Sequence, residues 1–559
     1  RDPFGEPIQP DTALDLTPDQ HAVVAGVCAR LGKGFHTFLL NGVTGSGKTE
    51  IYLPVAAETI KRGLGVLVLV PEIALITQIE HRFRARFGDR VAILHSGLSA
   101  GERFDQWSQI LDQKAVIVIG ARSAIFAPFD KLGAIIVDEE HDPSYKQESS
   151  PRYNARDLAI VRARQSDCVA LLGSATPSVQ SLYNVERKKF EELSLPERIL
   201  NRPLPRITVV DLRNSRGFRG SLRFITPQLQ QAMADTLDRN EQVLLFLNRR
   251  GFATFPVCSG CGTALRCKYC DITLTLHQRD NAFRCHYCGY SRSAATVCDS
   301  CGEDAIKPLG MGTEKIEAVV QELFPAARVA RMDRDTTRRK GAILALLKGL
   351  RQHTTDILVG TQMVAKGHDY PAITLVGVVC ADLSLSFPDF RAGERTFQLL
   401  AQVAGRAGRG QRPGQVILQT YNPDHFSIAA AQKQDVRSFY SNEIGFRRAL
   451  SYPPFSRLML LKISGKNKDR TAAWAELLGN RLDQLKARSG SEFDAVQVLG
   501  PIESSLARVA GRFRWQILLK CVSATVLHRY YGRLMSEHPQ LFNNRQVRVA
   551  VDVDPFFMM

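Results

Sequence analysis

Short apolar runs recur from about residue 35 to residue 421, and each ends in a polar or glycine-rich stretch that precedes a helical segment. The runs are Phe38–Leu40, Val66–Val70, Ala115–Ile119, Ala134–Val137 and Cys168–Leu172 in the first series, and Val243–Leu247, Asp356–Val359, Thr374–Cys380 and Gln415–Gln419 in the second. Continuous apolar strands that alternate with helices are typical of parallel sheets covered on both faces. We therefore predict an α/β fold with two lobes, whose ligands bind at the carboxyl ends of the strands.

This pattern breaks at two places. A cysteine-rich segment interrupts the second series between Leu247 and Thr313. Beyond about residue 440, apolar runs at Leu458–Ile463, Trp515–Leu519 and Val547–Val553 accompany a helical segment near residues 471–487. We predict a linker at residues 1–16, a first lobe at 17–200, a second lobe at 201–437 that contains a zinc-binding insertion at 255–310, and a small α+β domain at 438–559.

The length and net charge of the chain indicate the number of its domains and the class of molecule that it binds. The chain has 559 residues, too many for one hydrophobic core, and a net charge of +17 with a pI of about 9.4. That charge suits DNA or RNA, although a charge that merely keeps the protein soluble would look the same. No apolar run approaches the ~20 residues of a membrane span, so we expect no membrane association. The proline-rich start (Pro3, Pro7, Pro10) resembles an interdomain linker, and we expect an N-terminal truncation.

The segment after the first apolar run fits the phosphate-binding P-loop and lies between a predicted strand and a predicted helix. It comprises Gly42, Val43, Thr44, Gly45, Ser46, Gly47, Lys48 and Thr49. Its glycines let backbone N–H groups close around phosphates at a helix N-terminus. Lys48 would reach the β- and γ-phosphates and the Thr49 hydroxyl would bind magnesium, so we predict an ATP site.

Two further groups complete the predicted ATPase. Asp138 and Glu139 follow a predicted strand, where Asp138 would hold magnesium and Glu139 would orient or deprotonate the attacking water. Gln402, Arg406 and Arg409 lie on a predicted helix of the second lobe. A spacing of three puts the two arginines on one helix face, from which they would act as arginine fingers on the γ-phosphate. A contact with the phosphate backbone of DNA, or a solvated basic face, is the alternative.

Eight of the twelve cysteines form four CxxC pairs, which is typical of structural zinc. The spacing favours a nested arrangement, with Cys267, Cys270, Cys285 and Cys288 around one ion and Cys258, Cys261, Cys298 and Cys301 around the other. A crossed arrangement, first pair with third and second with fourth, stays open. We expect His277 and His286 at the surface or behind the zinc ligands, and Cys28, Cys168, Cys380 and Cys521 in the core.

Aromatic and basic residues are mixed after the acidic motif, at Tyr145, Lys146, Arg152, Tyr153 and Arg156. Bases stack on aromatic rings while cations hold phosphates, so this loop is a candidate contact for single-stranded DNA. A surface loop with two packed tyrosines is the alternative. The segment Gly511–Gln516 mixes arginines and aromatics in the same way and is a weaker candidate for contact with DNA or a partner protein.

Together these motifs resemble those of superfamily 2 helicases, and most closely those of the primosomal protein N′ (PriA) family. Further segments carry the resemblance: Leu16–Gln20, Val70–Leu75, Gly120–Ala124, Gly173–Pro177, Phe246–Gly251 and Gly360–Gly367. By this resemblance the lobes are RecA-like, Gln20 binds adenine, and the aromatic loop couples DNA binding to hydrolysis. The family carries an N-terminal DNA-binding region, which we expect this chain to lack, and Asn154 stands where the resemblance leads us to expect a histidine.

The resemblance implies an ATP-dependent 3′-to-5′ DNA helicase that unwinds stalled or abandoned replication forks and initiates primosome assembly for replication restart. Its implied partners are single-stranded and forked DNA, other primosome proteins, single-stranded-DNA-binding protein and, indirectly, the replicative helicase loader. The implied location is the bacterial cytoplasm, at the nucleoid. A duplex translocase or RNA helicase, and a platform that binds without hydrolysis, are the alternatives.

Overall fold

A computed structural model describes residues 14–199, 205–215, 225–247, 255–258, 261, 263–277, 281–294, 297–304, 306–309, 312–333, 336–337, 342–365, 372–408 and 413–558. The chain divides into two compact units, and the main division falls between residues 204 and 205. Nearly all of the predicted linker lies outside the described residues. No helix in the described part of the chain has both the length and the apolar character needed to cross a lipid bilayer.

The first unit is built on a parallel sheet whose strand order is β3-β4-β2-β5-β6-β1-β7. Its strands are β1 (His36–Gly42), β2 (Gly65–Leu69), β3 (Val91–Leu94), β4 (Ile117–Gly120), β5 (Leu132–Val137), β6 (Val169–Ser174) and β7 (Glu191–Leu195). Its helices are α1 (Pro18–Cys28), α2 (Lys48–Lys61), α3 (Ile73–Phe87), α4 (Ala100–Leu111), α5 (Ala155–Gln165) and α6 (Val179–Glu186).

Both faces of this sheet are buried, which explains the continuous apolar runs. Phe38 and Leu40 pack into the core on one face of β1, while Leu39 packs into the core on the other face. Along β2, Val66 packs into the same core as Phe38, and Leu67 packs into the same core as Leu39. Successive side chains of a strand point to opposite faces, so a strand covered on both sides needs apolar residues at every position.

The second unit holds three groups of strands. They are β8 (Arg206–Asp211), β9 (Gln242–Phe246), β10 (Phe255–Cys258), β11 (Thr275–His277), β12 (Ala282–Arg284), β13 (Ser291–Ser293), β14 (Ile306–Leu309), β15 (Val329–Met332), β16 (Ile357–Gly360), β17 (Ile373–Val378), β18 (Gln415–Thr420), β19 (Arg457–Gly465), β20 (Gln497–Val509), β21 (Arg512–Cys521) and β22 (Val547–Val553). Its helices are α7 (Pro227–Asp238), α8 (Thr313–Leu323), α9 (Ala342–Arg351), α10 (Gln362–Ala365), α11 (Asp382–Leu385), α12 (Ala392–Ala404), α13 (Phe426–Lys433), α14 (Val436–Ala449), α15 (Lys468–Arg488) and α16 (Ala524–Glu537).

These strands confirm the predicted fold class. Six of the described strands form a second parallel sheet in the order β15-β16-β9-β17-β18-β8. Two small antiparallel sheets, β10-β14 and β11-β12-β13, form the cysteine-rich insertion between β9 and α8. The C-terminal domain has an antiparallel sheet, β20-β21-β19-β22, with α15 and α16 packed on one face.

The cysteine-rich insertion packs against the C-terminal domain. Along β19, Met459 and Leu461 pack into the core that α15 and α16 cover, whereas Leu458 and Leu460 pack with the cysteines of the insertion. The Tyr452 hydroxyl also donates a hydrogen bond to the Cys270 carbonyl oxygen at 3.0 Å. The sheet of the C-terminal domain is therefore covered on both faces, and the insertion forms one of the two covers.

Candidate nucleotide and zinc sites

The P-loop connects the end of β1 to the first residue of α2. Gly45 and Gly47 have φ angles of 87° and 79°, in the left-handed region that favours glycine. A Cβ atom on Gly47 would lie 2.5 Å from the Gln20 amide nitrogen and 2.7 Å from the Ile199 side chain. The sequence therefore needs glycine here to turn the chain into the N-terminus of α2, where backbone N–H groups can bind phosphate.

Side chains from outside the P-loop fix its backbone. Gln20 Nε2 donates to the Ser46 carbonyl oxygen at 2.9 Å, and Arg198 Nε donates to the Thr44 carbonyl oxygen at 3.0 Å. Lys48 Nζ donates to the Gly42 carbonyl oxygen at 3.0 Å, and Thr49 lies in the first turn of α2. Gln20, expected to bind adenine by resemblance, thus also supports the loop.

Asp138 lies directly after β5 and is buried beside the P-loop helix. Its Oδ1 accepts a hydrogen bond from the Tyr52 hydroxyl at 2.8 Å. Burial raises the pKa of Asp138 above its usual value, and Glu139 raises it further, while Lys48 lowers it. Lys48 offsets the negative charge of the buried Asp138 carboxylate only in part, so the carboxylate is suited to bind a divalent cation.

Two orphaned polar atoms strengthen the fit to magnesium and phosphate. Within the described residues, Ser46 Oγ and Glu139 Oε2 are buried and make no hydrogen bond, and the contact of Glu139 Oε2 with His141 Nδ1, at 3.7 Å, is longer than a hydrogen bond. Glu139 also has a φ of 47°, an uncommon value for a residue with a side chain and a frequent one at functional sites. Buried polar groups normally have partners, so these atoms indicate that a ligand completes the site.

The residues after Glu139 link the acidic motif to the segment Gly173–Pro177. Glu140 accepts a hydrogen bond from the Ser178 N–H at 2.7 Å and pairs with Arg156 Nη1 at 3.1 Å. The His141 Nδ1 lies 2.7 Å from Ser174 Oγ. Glu140 and His141 therefore connect the acidic motif directly to Ser178 and to Ser174, the last residue of β6.

The predicted helix for the second-lobe arginines is wrong beyond Ala404. Helix α12 includes Gln402 but ends at Ala404, and Arg406 is buried in the turn that follows. The reason is glycine: Gly405 is the C-cap, and Gly408 has a φ of 67° and approaches the Gly414 backbone too closely for a side chain. The prediction that Arg406 lies on this helix is therefore wrong. Arg409, residues 248–251 and residues 366–367 lie outside the described residues.

The aromatic loop differs from its prediction at Tyr145 and Lys146. Both residues are buried, and the Tyr145 hydroxyl lies 2.6 Å and 2.9 Å from the Asp138 and Leu69 carbonyl oxygens. The prediction that Tyr145 stacks on a base is therefore wrong in this structure, because the ring is part of the core. Tyr153 and Arg152 are half-buried and stay candidates for DNA contact.

A different aromatic residue lies at the surface beside Tyr153. Phe126 is 54% exposed, and its ring meets that of Tyr153 edge-on with centroids 5.2 Å apart. Arg162 of α5 donates to the carbonyl oxygens of the two residues that flank Phe126, Ile125 and Ala127. Phe126 was not among the predicted DNA contacts, although it lies only two residues after the segment Gly120–Ala124.

Each group of four cysteines gathers its sulfurs in the nested arrangement. The sulfurs of Cys258, Cys261, Cys298 and Cys301 lie within 4.8 Å of one another, and so do those of Cys267, Cys270, Cys285 and Cys288. The Sγ–Sγ distances for 258–301, 261–298 and 267–288 are 3.6, 3.5 and 3.6 Å. Four thiolates at Zn–S distances of ~2.3 Å would be separated by about 3.8 Å, so both groups fit structural zinc.

The other histidines of the insertion and the four isolated cysteines agree only in part with their predicted positions. His286 is buried rather than at the surface, and its Nδ1 lies 2.8 Å from the Glu503 carbonyl oxygen because the insertion packs on the C-terminal domain. His277 is half-buried, and its Nε2 lies 3.3 Å from His286 Nε2. The predicted core cysteines Cys168, Cys380 and Cys521 are buried, whereas Cys28 is half-buried.

Family comparisons cover most of the chain. Residues 17–185 match the DEAD/DEAH box helicase family. Residues 267–292 match the PriA DNA helicase Cys-rich region (CRR) domain, and residues 448–556 match the primosomal protein N C-terminal domain. The three matches coincide with the first unit, the cysteine-rich insertion and the C-terminal domain.

Curated relatives match over nearly the full chain. Replication restart protein PriA of Bacillus subtilis (strain 168) is 42% identical over 561 residues, which span 100% of this chain and 69% of the relative. The protein of the same name from Haemophilus influenzae is 42% identical over 523 residues, 93% of this chain and 70% of the relative. That from Synechocystis is 43% identical over 562 residues, 99% of this chain and 66% of the relative. With this identity over this length, the chain belongs to the PriA family of replication restart proteins.

Proposed function

We propose that this chain is the motor of a replication restart helicase, which hydrolyses ATP to move 3′ to 5′ along one DNA strand and unwind the duplex ahead. The observation that carries the proposal is that the P-loop, Lys48 and the buried Asp138 meet at the carboxyl ends of β1 and β5. Membership of the PriA family supports the choice of DNA over RNA.

The nucleotide site would work mainly by positioning and by charge. Backbone N–H groups of residues 45–49 and the Lys48 ammonium would hold the β- and γ-phosphates. Thr49 and Asp138 would hold magnesium, which neutralises phosphate charge when bound. Glu139, whose Oε2 makes no hydrogen bond within the described residues, would orient the attacking water and accept its proton. Gln402, Arg406 and Arg409 are assigned to the γ-phosphate on the resemblance of their segment to the family's.

The DNA contact proposed for the first unit rests on Tyr153, Arg152 and Phe126. The exposed Phe126 ring gives a base a face on which to stack, and the half-buried Tyr153 supports that ring from its edge. Arg122 donates to the Ser144 and Lys146 carbonyl oxygens at 3.3 Å, which ties this surface to the residues after the acidic motif. Strand binding would thereby be coupled to the hydrolysis site.

The wider role follows the family. In this proposal the motor comprises lobes at residues 17–200 and 201–437, with the zinc insertion at 255–310 and the C-terminal domain at 438–559 as its accessory parts. The DNA would be single-stranded or forked and lie in the nucleoid, and the protein partners would be primosome proteins and single-stranded-DNA-binding protein. Both zinc sites would be structural, because four thiolates leave no coordination position open for catalysis.

Strand displacement tests the proposal. Duplexes with a 3′ or a 5′ single-stranded tail, made in DNA and in RNA, would be incubated with the chain, ATP and magnesium. We expect ATP-dependent unwinding of the 3′-tailed DNA and little unwinding of the other three. Preferred unwinding of the RNA duplexes would establish the RNA-helicase alternative instead. Hydrolysis stimulated by blunt duplex without strand separation would indicate a duplex translocase.

A further inference from the structure

Tyr52 is a buried residue of the nucleotide site to which no phosphate-binding or catalytic motif assigns a role. It lies on α2 four residues after Lys48, and helical spacing places both on the same side of that helix. Its side chain is fully buried, and its hydroxyl donates to Asp138 Oδ1 at 2.8 Å. The P-loop helix thus contacts the predicted magnesium ligand through this hydroxyl.

The position of the Tyr52 hydroxyl is restricted from a third side by β6. A Cβ atom on Gly173 would overlap the hydroxyl oxygen, so this oxygen is packed directly against the β6 backbone. A tyrosine hydroxyl is protonated at neutral pH and a carboxylate can only accept, so Tyr52 is the donor in this hydrogen bond. Its geometry is therefore set by α2, the end of β5 and Gly173 together.

We propose that Tyr52 is a positioning residue for magnesium, whose hydroxyl holds one oxygen of Asp138 and so presents the other to the ion. Carboxylates that bind metals are commonly oriented by such a donor, and removing it typically costs 10–100-fold in metal affinity. The inference rests on the proposed function, because it takes Asp138 as the magnesium ligand. A tyrosine that only fills the core would have no effect on the ion.

The test is the magnesium dependence of ADP binding, measured without turnover. Fluorescent mant-ADP is titrated onto the chain at increasing Mg²⁺ concentrations, for the wild type and for Tyr52→Phe. We expect Tyr52→Phe to bind mant-ADP normally without Mg²⁺ and to need about 10–100-fold more Mg²⁺ for the magnesium-dependent gain in affinity. Gly173→Ala, which displaces the hydroxyl without removing it, should shift the Mg²⁺ requirement in the same direction.

The matched control is Tyr530→Phe. Tyr530 is also fully buried, and its hydroxyl donates to the Leu482 carbonyl oxygen at 2.6 Å in the C-terminal domain. An unchanged Mg²⁺ requirement in Tyr52→Phe, or equal shifts in Tyr52→Phe and Tyr530→Phe, would overturn the inference. If the wild type binds no mant-ADP at any Mg²⁺ concentration, the proposed function fails and the inference falls with it.

Discussion

The residues of the P-loop act locally on the nucleotide site, through the backbone turn at the two glycines and the charge of Lys48. Gly45, Gly47 and Lys48 follow one another in a pattern that specifies a turn and a helix start, and the structure has both. Tyr145 shows the limit of such reasoning. Whether its ring lies in the core or in solvent depends on how β2 and β5 pack around it, which the spacing of aromatic residues does not encode.

Lys48→Ala should abolish ATP hydrolysis and leave binding to single-stranded DNA nearly unchanged. The ammonium lost in this variant would contact the β- and γ-phosphates and not the strand. Hydrolysis is measured by phosphate release, and DNA binding by fluorescence anisotropy of a labelled oligonucleotide. Turnover close to that of the wild type would show that Lys48 has no role in the ATP site.

At the scale of elements, the sequence predicted the buried strands well and the edge strands poorly. β1, β2, β5 and β6 have apolar residues on both faces and were predicted, whereas the edge strands β3, β7, β8 and β15 of the two parallel sheets were not. β7, β8 and β15 have mostly exposed or half-buried residues, and β3 is buried but only four residues long. An edge strand has only one neighbour and can be polar, so its pattern resembles that of a loop. The end of α12 was also predicted wrongly, because the glycine-containing segment after Ala404 was assigned to the helix.

Phe126→Ala should weaken binding to single-stranded DNA and lower DNA-stimulated hydrolysis more than basal hydrolysis. Loss of one stacked base costs about 1–3 kcal/mol, or roughly 5–150-fold in affinity. Phe104→Ala is the control, because Phe104 is 71% exposed on α4 and has no assigned role. Equal affinities for the wild type and both variants would show that Phe126 is only an exposed apolar residue.

The nested cysteine groups predict how paired substitutions affect zinc content. Cys267→Ser combined with Cys285→Ser removes two ligands from one group and should cost one zinc per chain. Cys267→Ser combined with Cys298→Ser removes one ligand from each group and should damage both sites. Metal analysis of the purified variants measures this directly. Loss of both ions in the first variant and of one in the second would establish the crossed arrangement.

For the whole molecule, the family resemblance and the two α/β lobes were accessible from the sequence, whereas the packing of the accessory domains was not. His286 and Tyr452 contact residues that are far away in the chain. The place where the zinc insertion packs on the C-terminal sheet therefore cannot be predicted from neighbouring residues in the sequence. The net charge of +17 adds a further expectation, since DNA binding driven by phosphate contacts should weaken steeply as salt concentration rises.

The central claim is that one chain couples ATP hydrolysis to a single DNA strand. The most direct measurement is the rate of phosphate release with magnesium, with and without single-stranded DNA, at fixed low salt. We predict slow hydrolysis by the chain alone and a severalfold or greater increase when the strand is added. An identical rate in the presence and absence of DNA, or no hydrolysis under either condition, would contradict the account.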